Sequence, residues 1–339
     1  MVSNKKINSF IRYLPKVELH LHLEGAIPID ALLQLIEKYK GNDYITIGDL
    51  ENRFTYTDFT HFINTWYWKN GFIREYEDYQ FIAEHVALSL TKQNIRYAEI
   101  CFSPSDFREK KNSLPQNIAI AIRKGLNKHS DKIKINLIAD LVRDEKDKLP
   151  LLKQILEVKD QGIIGIGLGG MEKEFPPYLF AKVFREAKKK GLRTTCHAGE
   201  AAGPDYIWQA IKDLNVDRIG HGINAYKDSE LVQYLIEKQI PLEMCPISNV
   251  KTNVVQSLDT HPIYQFYKKN MLITVNTDDP KMFGTSLENE YISLIDTFNL
   301  DFSDIYQLSQ NSIKSAWCSE NTKYELNSEL TQYYERHVN

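Results

Sequence analysis

The amino-acid sequence predicts an α/β protein folded as a TIM (β/α)8 barrel, with extra helices inserted after the first strand and at the C-terminus. Three observations predict it. Eight short apolar runs rich in strand-forming residues recur along the chain, segments of helical period lie between them, and no linker, repeat, low-complexity tract or shift in composition divides the 339 residues. Strand alternating with helix implies parallel strands joined by crossover helices. Eight such units point to a closed barrel rather than an open sheet. The competing arrangement is a doubly wound sheet with a second domain. The expected organisation is a single barrel domain over residues 1–339.

The first run, "VELHLHL" (17–23), places His20 and His22 on one face and Leu19, Leu21 and Leu23 on the other, because side chains alternate along a strand. Glu24 joins the histidine face if the strand continues. The segment from 29 to 90 is longer than one crossover helix needs and is expected to carry extra helices that partly cover the barrel mouth. Within it, Leu32, Leu35, Ile36 and Tyr39 share a helical face, as do Tyr79, Ile82, Val86 and Leu90. The aromatic stretch "FTYTDFTHFINTWYWKNGF" (54–72) reads mostly as helix core, with part of it lining a pocket. The later runs are "IRYAEICFS" (95–103), "KINLIADLV" (134–142), "GIIGIGLGG" (162–170), "LRTTCHAG" (192–199), "RIGHGI" (218–223), "IPLEMCPIS" (240–248) and "MLITVNTDD" (271–279). "GPDYIWQAIKDL" opens with Pro204 and Asp205, the chemistry of a helix start. The tail after 285 reads as closing helices.

A hydrophobic fraction of 42% is ample for a sizeable core. The net charge of −3 and pI near 6.3 point to no polyanionic partner such as nucleic acid. The start of the chain lacks the apolar core of a signal peptide, and no run is long and apolar enough to span a membrane. Cys101, Cys196, Cys245 and Cys318 lie far apart, so free thiols in a reduced, cytoplasmic setting are expected. Cys196 faces away from His197 by alternation and is expected to be packed and inert.

Polar residues gather at the C-terminal ends of these runs, where active sites of a barrel lie. The first run carries His20 and His22, the fifth ends in "HAGE" with His197 and Glu200, the sixth carries His221, and the eighth ends in Asp278 and Asp279. The fourth ends in "GLGG", whose bare backbone could approach a ligand closely. Each motif alone has an ordinary explanation: H-x-H as a polar strand edge, D-D-P as a turn, "HAGE" as a loop. Together they converge on one mouth, and buried imidazoles and carboxylates are costly unless paired or metal-bound. One Zn²⁺ held by His20, His22, His197 and Asp278 resolves that cost. It would lower the pKa of a bound water to about 7. Glu200 and His221 are then free to serve as general acid and as base or water orienter.

These residues carry a resemblance. "HLHLEGAIP", "HAGE", "RIGHGI", "CPISN" and "VNTDDP", in this order over about 14 to 290, resemble the adenosine deaminase family of zinc-dependent purine deaminases. The resemblance implies a barrel, the same four metal ligands, and hydrolytic deamination of adenosine and 2′-deoxyadenosine with release of ammonia, in purine salvage. It implies that Glu200 protonates the purine N1, that His221 orients or deprotonates the nucleophilic water, that Asp279 meets N7, and that Gly170 offers a backbone donor toward N3. It implies that residue 24 meets the sugar, where many adenosine deaminases have Asp and this chain has Glu24. "GLGG" also departs from the more usual "LAG". "RIGHGI" and "CPISN" resemble nucleoside deaminases more than adenine deaminases, which often carry "RIDHG". "HAGEAAGP" and the W-x-W-K stretch resemble a branch acting on 6-aminodeoxyfutalosine of menaquinone synthesis. That substrate and adenine are the alternatives. The implied partner is a small purine nucleoside, with no nucleic acid, membrane or protein partner.

Other readings fit less well. A zinc amidohydrolase of another substrate usually wants a second metal with a bridging lysine, and no strand-like run here ends in lysine. The small base deaminases need P-C-x-x-C beside H-x-E, and "CPISN" holds one Cys. A barrel that only binds is disfavoured by the intact ligand set and Glu200. His61, His85, His129, His261 and His337 read as solvated or locally satisfied, and "VRDEKDK" (142–148) as a solvated loop.

Overall fold

A computed structural model describes residues 4–40, 45–104, 114–144 and 146–338. Eight parallel strands lie in the order of the chain, each hydrogen-bonded to the next: β1 Lys16–His22, β2 Ile95–Phe102, β3 Lys134–Val142, β4 Ile163–Gly169, β5 Arg193–Ala198, β6 Arg218–His221, β7 Leu242–Met244 and β8 Ile273–Val275. All eight expected runs form strands, and the closed-barrel expectation holds over the doubly wound sheet. The seam between the first and last strands is sealed just beyond β8. His22 N donates to Asp278 O at 2.9 Å, Asp278 N donates to His20 O at 2.9 Å, and the Asn276 side chain accepts from Leu19 N at 3.0 Å. The chain thus closes its barrel through the backbone of three of the expected metal ligands.

Helix α1 (Asn4–Tyr13) precedes β1. The first crossover is the expected insert and holds α2 (Ile29–Lys40), α3 (Ile47–Arg53), α4 (Phe59–Asn70) and α5 (Tyr76–Lys92). Single helices follow β2 to β6: α6 (Pro115–Leu126), α7 (Leu149–Leu156), α8 (Ala181–Lys189), α9 (Pro204–Lys212) and α10 (Ser229–Lys238). After β7 come α11 (Pro246–Lys251) and α12 (Ile263–Lys268), and after β8 the closing helices α13 (Leu287–Phe298), α14 (Phe302–Ser315) and α15 (Glu320–Val338). Proline opens α6, α9 and α11 where its missing N–H costs nothing. Among the described residues, no helix is long and apolar enough to cross a membrane.

Leu19, Leu21 and Leu23 are fully buried against the helical layer, in the main core that runs around the barrel. The lumen is polar instead. Glu99 of β2, Arg218 of β6 and Glu243 of β7 form a buried network, with Arg218 Nη2 2.6 Å from Glu99 and Nε 2.5 Å from Glu243. The guanidinium lies 3.5 Å from the Trp317 ring centroid. Helix α4 meets the main core through Trp68, near its C-terminal end. Its Phe62 joins Tyr56, Met282 and Phe283 in a satellite cluster, and the Tyr56 hydroxyl donates to Met282 O at 3.1 Å.

Two expectations need correction. β1 stops at His22, and Glu24–Ala26 turn as a short 3-10 helix, so Glu24 does not continue the histidine face. The stretch 142–148 is not simply a solvated loop: Arg143 and Lys148 are buried, while residue 145 lies outside the described residues. Arg143 donates to the carbonyls of Phe175 and His197, which ties it to the end of β5.

Candidate active site and metal centre

The C-terminal mouth gathers the expected side chains. The ligand atoms of His20, His22 and His197 lie within 4.8 Å of one another. Asp278 Oδ1 stands 3.3 Å from His22 Nε2 and 3.5 Å from His20 Nε2. Three imidazole nitrogens and one carboxylate oxygen therefore face a common point. His20 Nε2 is buried with no hydrogen-bond partner among the described residues. Burial and the neighbouring imidazoles push His197 well below its usual value, so it stays neutral. Three buried imidazoles aimed at one carboxylate have the donor chemistry of a metal site.

Backbone and second-layer contacts hold this set. Asp278 takes a left-handed φ of +65°, a conformation that costs a non-glycine residue energy and is kept where the surroundings impose it. Its Oδ2 accepts from Ser248 Oγ at 2.7 Å. His20 Nδ1 meets Glu243 Oε2 at 2.8 Å, which turns Nε2 toward the site. Burial would raise the Glu243 carboxyl, but Arg218 and His20 beside it bring it down to about 2. Gly220 is needed on β6, because a Cβ there would come within 3.0 Å of both the His20 and His197 rings.

Glu200 follows β5 on a loop clamped from behind. The buried Glu172 carboxylate accepts from Gly199 N at 2.5 Å, Ala201 N at 2.6 Å and Ala202 N at 2.9 Å. Burial, then the charges of Asp278 and Glu172, push Glu200 well above the carboxylate range. That environment favours the acid form, which can donate a proton. His221 Nε2 lies 3.6 Å from Glu200 Oε2. Asp279 is pushed up to about 7 by burial and by Asp278, and its Oδ1 has no hydrogen-bond partner among the described residues. A Cβ on Gly25 would fall 1.6 Å from that oxygen, so only glycine fits there.

A pocket opens onto this floor. His22, His197, Glu200, Asp278 and Asp279 line it below, and Gly170, Ser103, Asp140 and Val142 at the side. Its roof is α4, through Phe59, Phe62, Ile63, Trp66 and Tyr67. The expectation that the aromatic stretch partly lines a pocket is met. His20, His221 and Glu24 stand behind the lining. Glu24 Oε1 accepts from Ser103 N at 3.0 Å, and its Oε2 has no hydrogen-bond partner among the described residues. Buried Lys69 of α4 donates to the Glu24 carbonyl and, at 2.8 Å, to Asn70 Oδ1.

Sequence reasoning missed Asp140, Ser103, Glu172, Glu243, Arg218 and Ser248. "GLGG" held a signal for the first of these. A Cβ on Gly167 or Gly169 would come 2.9 or 2.6 Å from the Asp140 carboxylate. Those two glycines make room for a side chain of the preceding strand, β3, while of the motif Gly170 reaches the pocket, with φ +96°. Charges inside apolar strand runs, in "YAEIC", "IADLV" and "PLEMC", marked the polar lumen. Cys196 is buried as expected, and burial pushes its thiol up to about 12.

Known proteins resemble this chain in sequence and fold. The family model for adenosine deaminase matches residues 15–333. An aminodeoxyfutalosine deaminase of Streptomyces avermitilis is 31% identical, over 98% of this chain and 94% of its own. An adenine deaminase of Wolinella succinogenes is 33% identical, over 94% of this chain and 97% of its own. The crystal structure of adenine deaminase from Arthrobacter aurescens superposes with a TM-score of 0.90 at 29% identity, over 95% of this chain and 99% of that one. With a match that runs almost from end to end, this chain belongs to the adenosine deaminase family of hydrolytic deaminases.

Proposed function

We propose that this chain is a zinc-dependent deaminase that converts the 6-amino group of a purine to a 6-oxo group, with water consumed and ammonia released, and that its substrate is 6-aminodeoxyfutalosine. This moves the preferred substrate away from adenosine and 2′-deoxyadenosine, because the relatives described above carry the names aminodeoxyfutalosine deaminase and adenine deaminase. The observation that carries the reading is the two-sided pocket. A floor of titratable groups suits a purine ring, and four aromatic side chains of the roof, Phe59, Phe62, Trp66 and Tyr67, line the same pocket. Trp66 and Tyr67 offer flat apolar surface on which a 5′ substituent would stack.

His20, His22, His197 and Asp278 fit zinc by donor type, three imidazoles and one carboxylate. Bound there, zinc supplies a nucleophile at neutral pH by lowering the pKa of water to about 7. Glu200, protonated in its buried setting, donates to N1 and makes C6 electrophilic. N7 of a purine only accepts, so Asp279 serves it as a protonated donor, which a value near 7 permits. Gly170 offers its N–H to N3. His221 bears on the attacking oxygen. Glu24 acts on the sugar side through Ser103, whose N–H it holds.

Free adenine is the second reading, favoured by the close superposition on the Arthrobacter adenine deaminase. The test is ammonia release by the zinc-loaded protein from 6-aminodeoxyfutalosine, adenine, adenosine, 2′-deoxyadenosine and AMP. The expected result is a kcat/KM for 6-aminodeoxyfutalosine about a hundredfold above the rest, a ratio that pocket contacts can supply. A comparable preference for adenine would install the second reading, and one for adenosine would refute both.

A further inference from the structure

Behind the site a chain of hydrogen bonds runs from a backbone amide to the imidazole of His221. Ile263 N–H, at the start of α12, donates to His261 Nδ1 at 3.1 Å. A ring nitrogen that accepts carries no hydrogen, and burial pushes His261 down to about 3, so His261 is neutral with its hydrogen on Nε2. That Nε2 lies 3.1 Å from Asn249 Oδ1 and donates to it. The carboxamide is thereby oriented, and its Nδ2 faces His221 Nδ1 at 3.1 Å. An amide nitrogen only donates, so His221 Nδ1 accepts, and the hydrogen of the neutral ring sits on Nε2.

The opposite polarity fails at its first link. Turning Asn249 over would set its Nδ2 against His261 Nε2, which would then have to accept. The His261 hydrogen would move to Nδ1, directly against Ile263 N–H. His221, Asn249 and His261 are each no more than 2% exposed, so water does not relieve such a clash. At the other end, His221 Nε2 has no hydrogen-bond partner among the described residues. It points between Glu200 Oε2 at 3.6 Å and Asp278 Oδ2 at 3.9 Å, into the space where the nucleophile must lie.

We propose that Asn249 and His261 are positioning residues that hold His221 in its Nε2–H tautomer, so that His221 presents a hydrogen-bond donor, not a base, to the attacking oxygen. A base would have to take the proton on a nitrogen that already carries one. The tautomer follows from the hydrogen bonds alone; the catalytic consequence rests on the deaminase reading above. The sequence motif "CPISN" thus has a use for its last residue, and His261, expected to be satisfied locally, is satisfied through Asn249.

The test is a long-range ¹H–¹⁵N correlation on the metal-loaded protein with ¹⁵N-labelled histidine, read beside kcat and KM, with His221→Gln to assign the signals. In the wild type, His221 should show a hydrogen-bearing Nε2 and a bare Nδ1. Asn249→Asp has the same shape but can only accept, so it draws a hydrogen onto His221 Nδ1. Where Nε2 is emptied as a result, kcat should fall about 10²-fold or more, the size of losing one preorganised donor, with little change in KM. Where the ring holds both hydrogens, kcat should survive, an outcome fatal to a base. His261→Gln keeps a donor facing Asn249 and should preserve both the signature and most of kcat; His261→Phe should lose both. A bare Nε2 in the wild type, a wild-type kcat with Nε2 emptied, or an unchanged signature in His261→Phe would each overturn the proposal. If Asn249→Asp does not fold, the two His261 variants decide. If no 6-aminopurine is turned over at all, the deaminase reading fails while the spectrum still decides the tautomer.

Discussion

The floor and the roof of the pocket are built in opposite ways. The floor rests on parallel strands whose backbones pair on both sides, and its side chains are cross-braced: His20 by Glu243, Asp278 by Ser248, the Glu200 loop by Glu172. The roof is one helix, α4, whose Phe62 belongs to a small satellite cluster and which reaches the main core through Trp68. Its Lys69 donates to the Glu24 carbonyl, and Tyr56, just before the helix, donates to Met282 O. The floor faces the pocket with imidazoles and carboxylates, the roof with rings. Reaction chemistry needs groups held to a fraction of an ångström, which a barrel end provides. Choice of the sugar-side substituent needs only shape and apolar surface, which an inserted helix can change without disturbing the strands. Changes in the floor should therefore abolish turnover with every substrate, and changes in the roof should re-rank substrates.

The largest expected effect is His197→Ala, which removes one of the proposed ligands on the floor. It should lose the metal and, with it, more than about 10⁴-fold in kcat; elemental analysis showing full metal content in this variant would take His197 off the ligand list. Glu200→Gln should keep the metal and lose about 10²–10⁴-fold, because an amide cannot pass a proton to N1. Its kcat equal to wild type would end the assigned role. Glu243→Gln breaks a brace rather than a ligand, and should weaken metal affinity about 10–100-fold, read by competition with a chelator. Unchanged affinity would mean that His20 is held by the strand alone. The smallest effect belongs to the roof. Trp66→Ala should raise KM for 6-aminodeoxyfutalosine about tenfold, the scale of one lost aromatic contact plus its burial, and hardly change KM for adenine or kcat for either. A fall in kcat with both substrates would erase the distinction between roof and floor.

The same division governs what was legible in the sequence. Alternation places His20 and His22 on one face and needs no tertiary knowledge, and the ends of the fifth and eighth runs bring His197, Glu200 and Asp278 to the same mouth as soon as the barrel is inferred. Glu24 marks the limit of that logic. Period two holds only while the strand lasts, and β1 ends at His22 where the backbone turns into a 3-10 helix. The braces were hidden for a different reason. Glu243, Glu172 and Ser248 sit far along the chain from the groups they hold, and nothing local in "PLEMC", "GGMEK" or "PISNV" says which imidazole, amide or carboxylate they will meet. Arg143 reads as one charge in a charged run, and only the fold buries it against the end of β5. The roof was visible as an aromatic stretch, but which of its rings face the pocket depends on how α4 settles on Met282 and Phe283.

The central claim is that one metal ion on the strand-end floor drives the chemistry. The most direct measurement is to strip the protein with a chelator and titrate zinc back while following ammonia release from 6-aminodeoxyfutalosine. His20, His22, His197 and Asp278 converge on a single point, so activity should rise from near zero in proportion to bound zinc and level off at one ion per chain. Full turnover by the stripped protein, or a rise that continues to two ions per chain, would contradict the account.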